Sequence, residues 1–143
     1  MVYIGCDHGG FLIKEHIKLF LLSKNIAFED CGTYSTESVD YPDYGHKVAN
    51  SVCKDTTINL GIIVCGSGNG INISANKHQG IRSALCWKPE IAALAKQHNN
   101  ANMIALPGRY LTVLEAEEIV SAFLNSTFEA GRHQTRINKI EHE

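Results

Sequence analysis

The sequence predicts an α/β fold, a three-layer Rossmann-like sandwich around a five-stranded parallel sheet. Short apolar runs rich in β-branched residues alternate with longer segments of helical period, the pattern of β–α units feeding a parallel sheet. The clearest run, Leu60–Cys65, stops at a glycine-rich turn that opens into a helix-compatible segment. In such sheets ligands gather beyond the carboxyl ends of the strands, so the residues just after each strand are the ones to inspect.

Val2–Cys6 reads as the first buried strand and Phe11–Lys24 as the helix after it, with Phe11, Leu12, Ile17, Phe20 and Leu21 on the apolar face. Ile26–Asp30 reads as a second short strand, followed by a polar loop over Cys31–Asp40. Pro42 suits the first turn of a helix that runs to about Lys54. Beyond Leu60–Cys65 a helical segment extends to Lys77, and Ile81–Trp87 reads as the fourth strand. Pro89–Gln97 is an alanine-rich helix, Asn102–Leu106 the fifth strand, and Leu111–Asn125 a long amphipathic helix. From Glu129 onward the tail is polar. No repeat, low-complexity stretch or linker divides the chain, so residues 1–143 read as one domain.

A chain of 143 residues is long enough to bury a sizeable core. Its 44% hydrophobic and 20% charged residues fit a globular protein rather than a disordered one. The formal charge is −2 with scattered basic residues, which argues against a nucleic-acid partner. No apolar run reaches membrane-spanning length, and the chain opens directly on a strand, so a cytoplasmic location is expected. The five cysteines are odd in number and include no C-x-x-C, which fits a reducing compartment better than a disulfide framework.

Gly66-Ser67-Gly68-Asn69-Gly70 is the strongest local signal. Glycines directly after a strand let the backbone curl and leave N–H groups free at a helix start. Such a nest binds a phosphate, a carboxylate or a developing oxyanion, although an ordinary tight turn would read the same way. Cys65 touches the nest as the last residue of its strand. A thiol beside a helix N-terminus can be acidified and serve as base or nucleophile; the alternative is a small core residue. Cys6 holds a similar place on the first strand, and Cys31, Cys53 and Cys86 read as packing only.

Asp7 and His8 follow the first strand, where an acid and an imidazole can bind sugar hydroxyls or phosphate. Asp7 could equally cap the next helix. Neighbouring residues do not readily converge on one ion, and no second ligand cluster stands out, so no metal is expected. His98-Asn99-Asn100-Ala101-Asn102 lies between a helix and a strand; its asparagines suit left-handed caps, and its histidine suits proton transfer. His16, His46, His78 and His142 read as surface residues. Arg132 and Arg136, four apart, would share one helical face suited to a phosphate dianion. A solvated charged tail is the plainer reading, and such tails often serve a neighbouring subunit.

In this order and spacing, Gly5-Cys6-Asp7-His8, Asp40-Tyr41-Pro42, Ile63–Ile71, Ala75-Asn76-Lys77, Gly80-Ile81-Arg82, His98-Asn99 and Gly131-Arg132-His133-Gln134-x-Arg136 resemble ribose-5-phosphate isomerase type B. That group shares a family with the galactose-6-phosphate isomerase subunits, and the resemblance covers nearly the whole chain. It implies an aldose–ketose isomerase without metal or organic cofactor, working through a cis-enediolate. By the same resemblance the Cys65 thiolate moves the proton between C1 and C2. The backbone from Gly66 through Gly68, Asn69 and Gly70, with Ser67, stabilises the intermediate, and His98 opens the furanose ring. His8, Arg132 and Arg136 would hold phosphate; Asp7, Asn99 and Arg109 would bind substrate, with Tyr41 as a pocket wall.

One branch of the family carries a glutamate base just after the glycine loop and lacks the cysteine. This chain has Cys65, and Ile71 stands at the glutamate position, so it resembles the cysteine-dependent branch. The galactose-6-phosphate subunits each tend to lose part of the set, whereas Cys65, His98, Arg132 and Arg136 are all present here. Ser67 stands where many relatives have threonine. The resemblance also implies a homodimer or homotetramer with sites built across the subunit interface, the tail from about residue 126 packing on the partner. A hexose-6-phosphate isomerase, on allose or galactose phosphates, is the rival reading. A non-catalytic phosphate-ligand module on the same scaffold is a more distant one.

Overall fold

The computed structural model describes residues 1–142. Five parallel strands form one sheet: β1 (Val2–Cys6), β2 (Phe28–Asp30), β3 (Leu60–Cys65), β4 (Ser83–Leu85) and β5 (Met103–Pro107), in the order β2-β1-β3-β5-β4. The helices are α1 (Phe11–Ser23), α2 (Tyr41–Val52), α3 (Asn69–Ala75), α4 (Pro89–Asn99), α5 (Val113–Asn125) and α6 (Arg132–Ile137). The predicted fold class is the observed one.

Side chains alternate along the central strands and divide the core in two. Ile62 and Val64 of β3 and Ile104 and Leu106 of β5 pack with Ile13, Ile17 and Leu21 of α1, Ala92 and Ala95 of α4, and Ile119 and Phe123 of α5. Ile63 and Cys65 of β3 face the other way, against Val48, Ala49 and Val52 of α2 and Ile71 and Ala75 of α3. The sheet is covered on both faces, which is why its central strands read as unbroken apolar runs. Each fully buried Ile or Leu contributes about 1.5–3 kcal/mol of hydrophobic stabilisation.

The edge strands are shorter than the sequence suggests. Ile26 closes α1 instead, its N–H donating to the Leu21 carbonyl, and β2 begins only at Phe28. Ile81 ends a turn by bonding to the His78 carbonyl, which leaves three residues for β4. Apolar character alone does not make a strand; a partner must run alongside, and at an edge there is one side to pair with. Helix α4 runs two residues past the expected Gln97 and ends on Asn100, a left-handed cap at φ 43°. Helix α5 starts on a capping box in which Thr112 and Glu115 satisfy each other's backbone N–H groups.

Strand order reverses between β1 and β3, since β1 leads outward to β2 while β3 lies on its other side. The loops after these two strands therefore part and leave a crevice at the carboxyl edge of the sheet. Asp7 and His8 stand on one side of it and Gly66–Gly70 on the other.

Candidate active site

Cys65 is the last residue of β3, buried, with its side chain toward α3. The turn that follows depends on Gly68, which sits at φ 77° as the N-cap of α3. A Cβ at Gly68 would come within 2.6 Å of Leu85 Cδ1 and 3.0 Å of the Leu106 carbonyl carbon, so both its dihedral and its surroundings demand glycine. The turn wraps backbone N–H groups around the sulfur. Burial pushes the Cys65 thiol above its ordinary value of 9.0; hydrogen bonding from the N–H groups of Ile71, Gly68 and Gly70 acts against that, and the charge of Asp7 adds to it. The helix start alone thus does not acidify the thiol in this chain. Low-dielectric surroundings outweigh the nest.

Ser67 Oγ accepts the Asn69 N–H at 3.3 Å, which leaves its own O–H free to donate into the crevice. Asp7 caps the short 3-10 turn His8–Gly10, with Oδ1 accepting from Gly9 N at 2.8 Å and Gly10 N at 3.2 Å. Its other oxygen carries no protein hydrogen bond among the described residues. The capping and site readings of Asp7 are therefore compatible. His8 Nδ1 accepts the Val39 N–H at 3.2 Å, which fixes the neutral ring as the tautomer with a proton on Nε2. Asp7, His8, Tyr41 and Asp40 line a cleft of about 360 Å³. Arg109 lies against Gly66, with Nη1 at 3.2 Å from where a Cβ would stand. Asp7, His8, Tyr41, Cys65, the loop from Gly66 to Gly70 and Arg109 are therefore one assembly.

His98, Asn99, Arg132 and Arg136 are not part of it. Helix α4 returns from the carboxyl edge of β4, so its last turn stands at the opposite edge of the sheet. Arg82, which precedes β4, donates from Nε to the Asn99 carbonyl and from Nη2 to the Asn100 carbonyl, each at 3.0 Å. The six residues of β3 alone place roughly 16 Å between the two edges at about 3.3 Å per residue. The tail joins His98 at this second edge. Glu129 N–H donates to the Gln97 carbonyl, and α6 sets Arg132 and Arg136 outward while burying His133 and Ile137. The tail thus folds back on its own chain through these two side chains, more firmly than its polar composition suggests.

His133 stacks on His98 with ring centroids 4.3 Å apart and planes within 10°. Both Nε2 atoms are 3.7 Å from Glu129 Oε1. Burial lowers the His133 pKa, with the positive charges of His98 and Arg132 acting in the same direction and Glu129 opposing. Sequence spacing hides this group, because residues 98, 129 and 133 meet only through the packing of α6 on α4.

Other expectations need correction. His46 and His78 are not simple surface residues; half-buried, they face each other with Nδ1 and Nε2 2.7 Å apart. His16 pairs with Glu117 at 2.7 Å. Cys53, read as packing, is exposed, whereas Cys86 is a core residue as expected and Cys6 is one too, their thiols pushed up to about 12 by burial. Lys14 is a buried charge that composition does not reveal: it is 0% exposed, and its Nζ donates to both Asp30 carboxylate oxygens at 2.6 and 2.8 Å and to the Thr33 carbonyl at 2.7 Å. The signal was its spacing with Ile17 and Leu21, which sets it on the apolar face of α1.

Residues 2–140 match the family model described as Ribose/Galactose Isomerase. The chain belongs to the ribose/galactose isomerase family. Within it, the chain is 41% identical over 139 residues to ribose-5-phosphate isomerase B of Escherichia coli, covering 97% of this chain and 93% of the relative. A crystal structure of ribose 5-phosphate isomerase from Thermotoga maritima superposes with a TM-score of 0.94 at 50% identity, covering 97% and 95% of the two chains. The Mycoplasma genitalium ribose-5-phosphate isomerase B with bound ribulose-5-phosphate superposes at 0.95 with 41% identity, covering 97% of this chain and 92% of that one. Membership in the ribose/galactose isomerase family agrees with the five-stranded parallel sheet and with the crevice between β1 and β3.

Proposed function

We propose that this protein is an aldose–ketose isomerase interconverting ribose 5-phosphate and ribulose 5-phosphate. One observation carries the reading: the Cys65 sulfur lies in a turn of backbone N–H groups at the sheet's switch point, within electrostatic reach of Asp7. A base and an oxyanion nest side by side are what proton transfer next to a carbonyl requires. The family and the ribulose-5-phosphate bound by the Mycoplasma relative support the choice of sugar.

In the open-chain aldose the Cys65 thiolate removes the proton from C2. Charge builds on the C1 oxygen, and the N–H groups of the Gly66–Gly70 loop and the Ser67 hydroxyl stabilise the resulting cis-enediolate. The same thiol returns the proton to C1 while the O2 hydroxyl proton passes to O1, which leaves a C2 carbonyl and a C1 hydroxyl and restores the Cys65 thiolate. Asp7 accepts a sugar hydroxyl, Arg109 lies at the mouth, and Tyr41 forms the wall. His8 offers its Nε2–H to phosphate.

Ring opening and the rest of the phosphate clamp come from a second copy of the chain. His98, Asn99, Arg132 and Arg136 stand a full strand length from Cys65, so one chain holds two half-sites at opposite edges. A two-fold dimer brings the second edge of each copy to the first edge of the other, giving two complete sites. The chain then acts as one domain whose tail, though anchored on its own α4, presents its arginines to the partner. Among the described residues no helix is long and apolar enough to cross a membrane; a cytoplasmic location is our reading.

Purified protein given ribose 5-phosphate in the presence of a chelator tests this directly. Turnover in wild type and its loss in Cys65→Ala is the expected result. Turnover of a 6-phosphohexose in preference to ribose 5-phosphate, or none at all, would contradict the reading.

A further inference from the structure

Two imidazoles and a carboxylate converge outside the Cys65 crevice. One ring nitrogen of His98, one of His133 and an oxygen of Glu129 all lie within 4.8 Å of one another. Each nitrogen is 3.7 Å from Glu129 Oε1. Around a tetrahedral Zn²⁺ with bonds of about 2.0–2.1 Å, neighbouring donors stand roughly 3.3 Å apart, so the three come into range when one ring of the His98–His133 stack turns to bring its nitrogen lone pair onto the metal.

The backbone fixes this arrangement. Glu129 is tied to α4 through its N–H bond to the Gln97 carbonyl. The chain then turns sharply through Ala130 at φ 58° and Gly131 at φ 59°. A left-handed alanine is a strained choice, and it is what returns His133 to the same side as Glu129. Ile137 anchors α6 beneath, and Arg82 holds the end of α4 that carries His98.

We propose that His98, Glu129 and His133 form a binding site for a borderline-soft divalent cation of the Zn²⁺ class, and that occupation of the site inhibits the enzyme. Two nitrogens and one carboxylate oxygen suit zinc and disfavour magnesium or calcium, which take mostly oxygen ligands. Arg132 and Arg136, close by on α6, oppose any cation, and that selects further for a metal held by nitrogen donors over one held by charge. Three protein ligands leave the fourth position open to water. A metal on Nε2 of His98 occupies the lone pair used in ring opening; this consequence rests on the role assigned to His98 above, whereas the site itself does not.

Zinc affinity and stoichiometry, measured by competition with a chromogenic chelator, test the site in wild type, Glu129→Gln, His133→Asn and Cys65→Ala. Wild type and Cys65→Ala should each bind one zinc per chain at this site. Glu129→Gln and His133→Asn should bind it at least about 100-fold more weakly, a larger loss than a supporting residue gives. Glu129 is exposed, so its variant keeps the fold even if the His133 variant does not. Unchanged binding in Glu129→Gln, or loss of the site in Cys65→Ala, would overturn the assignment. In a separate turnover assay, zinc should slow wild type reversibly and leave Glu129→Gln at full rate. Zinc that binds as described without slowing turnover would overturn the inhibitory part and remove His98 from ring opening, leaving the metal site standing.

Discussion

The ring of Tyr41 rests directly on Gly70: a Cβ there would come within 2.5 Å of Tyr41 Cζ. The start of α2 and the loop after β3 therefore share one wall of the crevice, and the absence of a side chain at Gly70 sets how closely they meet. Gly70→Ala pushes Tyr41 outward by about an ångström and shifts the N–H groups around Cys65. A displacement of that size in a catalytic constellation costs on the order of 100-fold in rate. We expect kcat/KM to fall by roughly 10–100-fold, with a thermal midpoint close to wild type because Tyr41 is half open to solvent. Full activity in the variant would separate Tyr41 from the site.

The pH profile follows from the direction of the Cys65 shift. In the proposed mechanism the thiolate is the active form, and burial pushes the thiol above its ordinary 9.0. With the thiol shifted upward, kcat/KM, which reports the free enzyme, should climb with pH toward the thiol's titration. The slope should approach about tenfold per pH unit below the thiol's titration. A profile flat from pH 6 to 9 would contradict Cys65 as the base.

The buried Lys14–Asp30 pair sets part of the stability. Burial alone would raise the Asp30 pKa, but hydrogen bonds from Lys14, Lys18 and the Gly32 N–H outweigh it, and the net shift is downward from 3.8. A depressed carboxyl contributes stability that is present above its unfolded value and lost as pH falls through the folded one. Wild type should therefore lose this contribution below about pH 4. Asp30→Asn leaves the buried Lys14 charge without its closer counter-ion and should cost about 3–5 kcal/mol. Urea unfolding at neutral pH measures this, and a change under about 1 kcal/mol would show that Glu15, 3.4 Å from Lys14 Nζ, and water compensate.

Much of this was legible in the chain. The β-branched run of β3 and its glycine turn announced a strand, a helix start and a nest together, because each needs the same local residues. Asp7 and His8 followed from their place after β1. The lengths of β2 and β4 did not, since pairing at a sheet edge depends on a neighbour far away in sequence. Nor did Lys14, whose burial is settled by Asp30 across the packing of α1 on β2. The cluster of His98, Glu129 and His133 was hidden for the same reason: its parts come together only when α6 docks on α4.

The central claim is that each active site joins Cys65 of one copy to His98 of another, and mixing inactive variants tests it most directly. Cys65→Ala and His98→Asn are each expected to be severely impaired alone. After subunit exchange at equal amounts, half of the dimers are mixed and each holds one intact site, so roughly a quarter of wild-type turnover should return. A mixture as inactive as its parents, with exchange verified, would place both residues in a site within one chain and contradict the account.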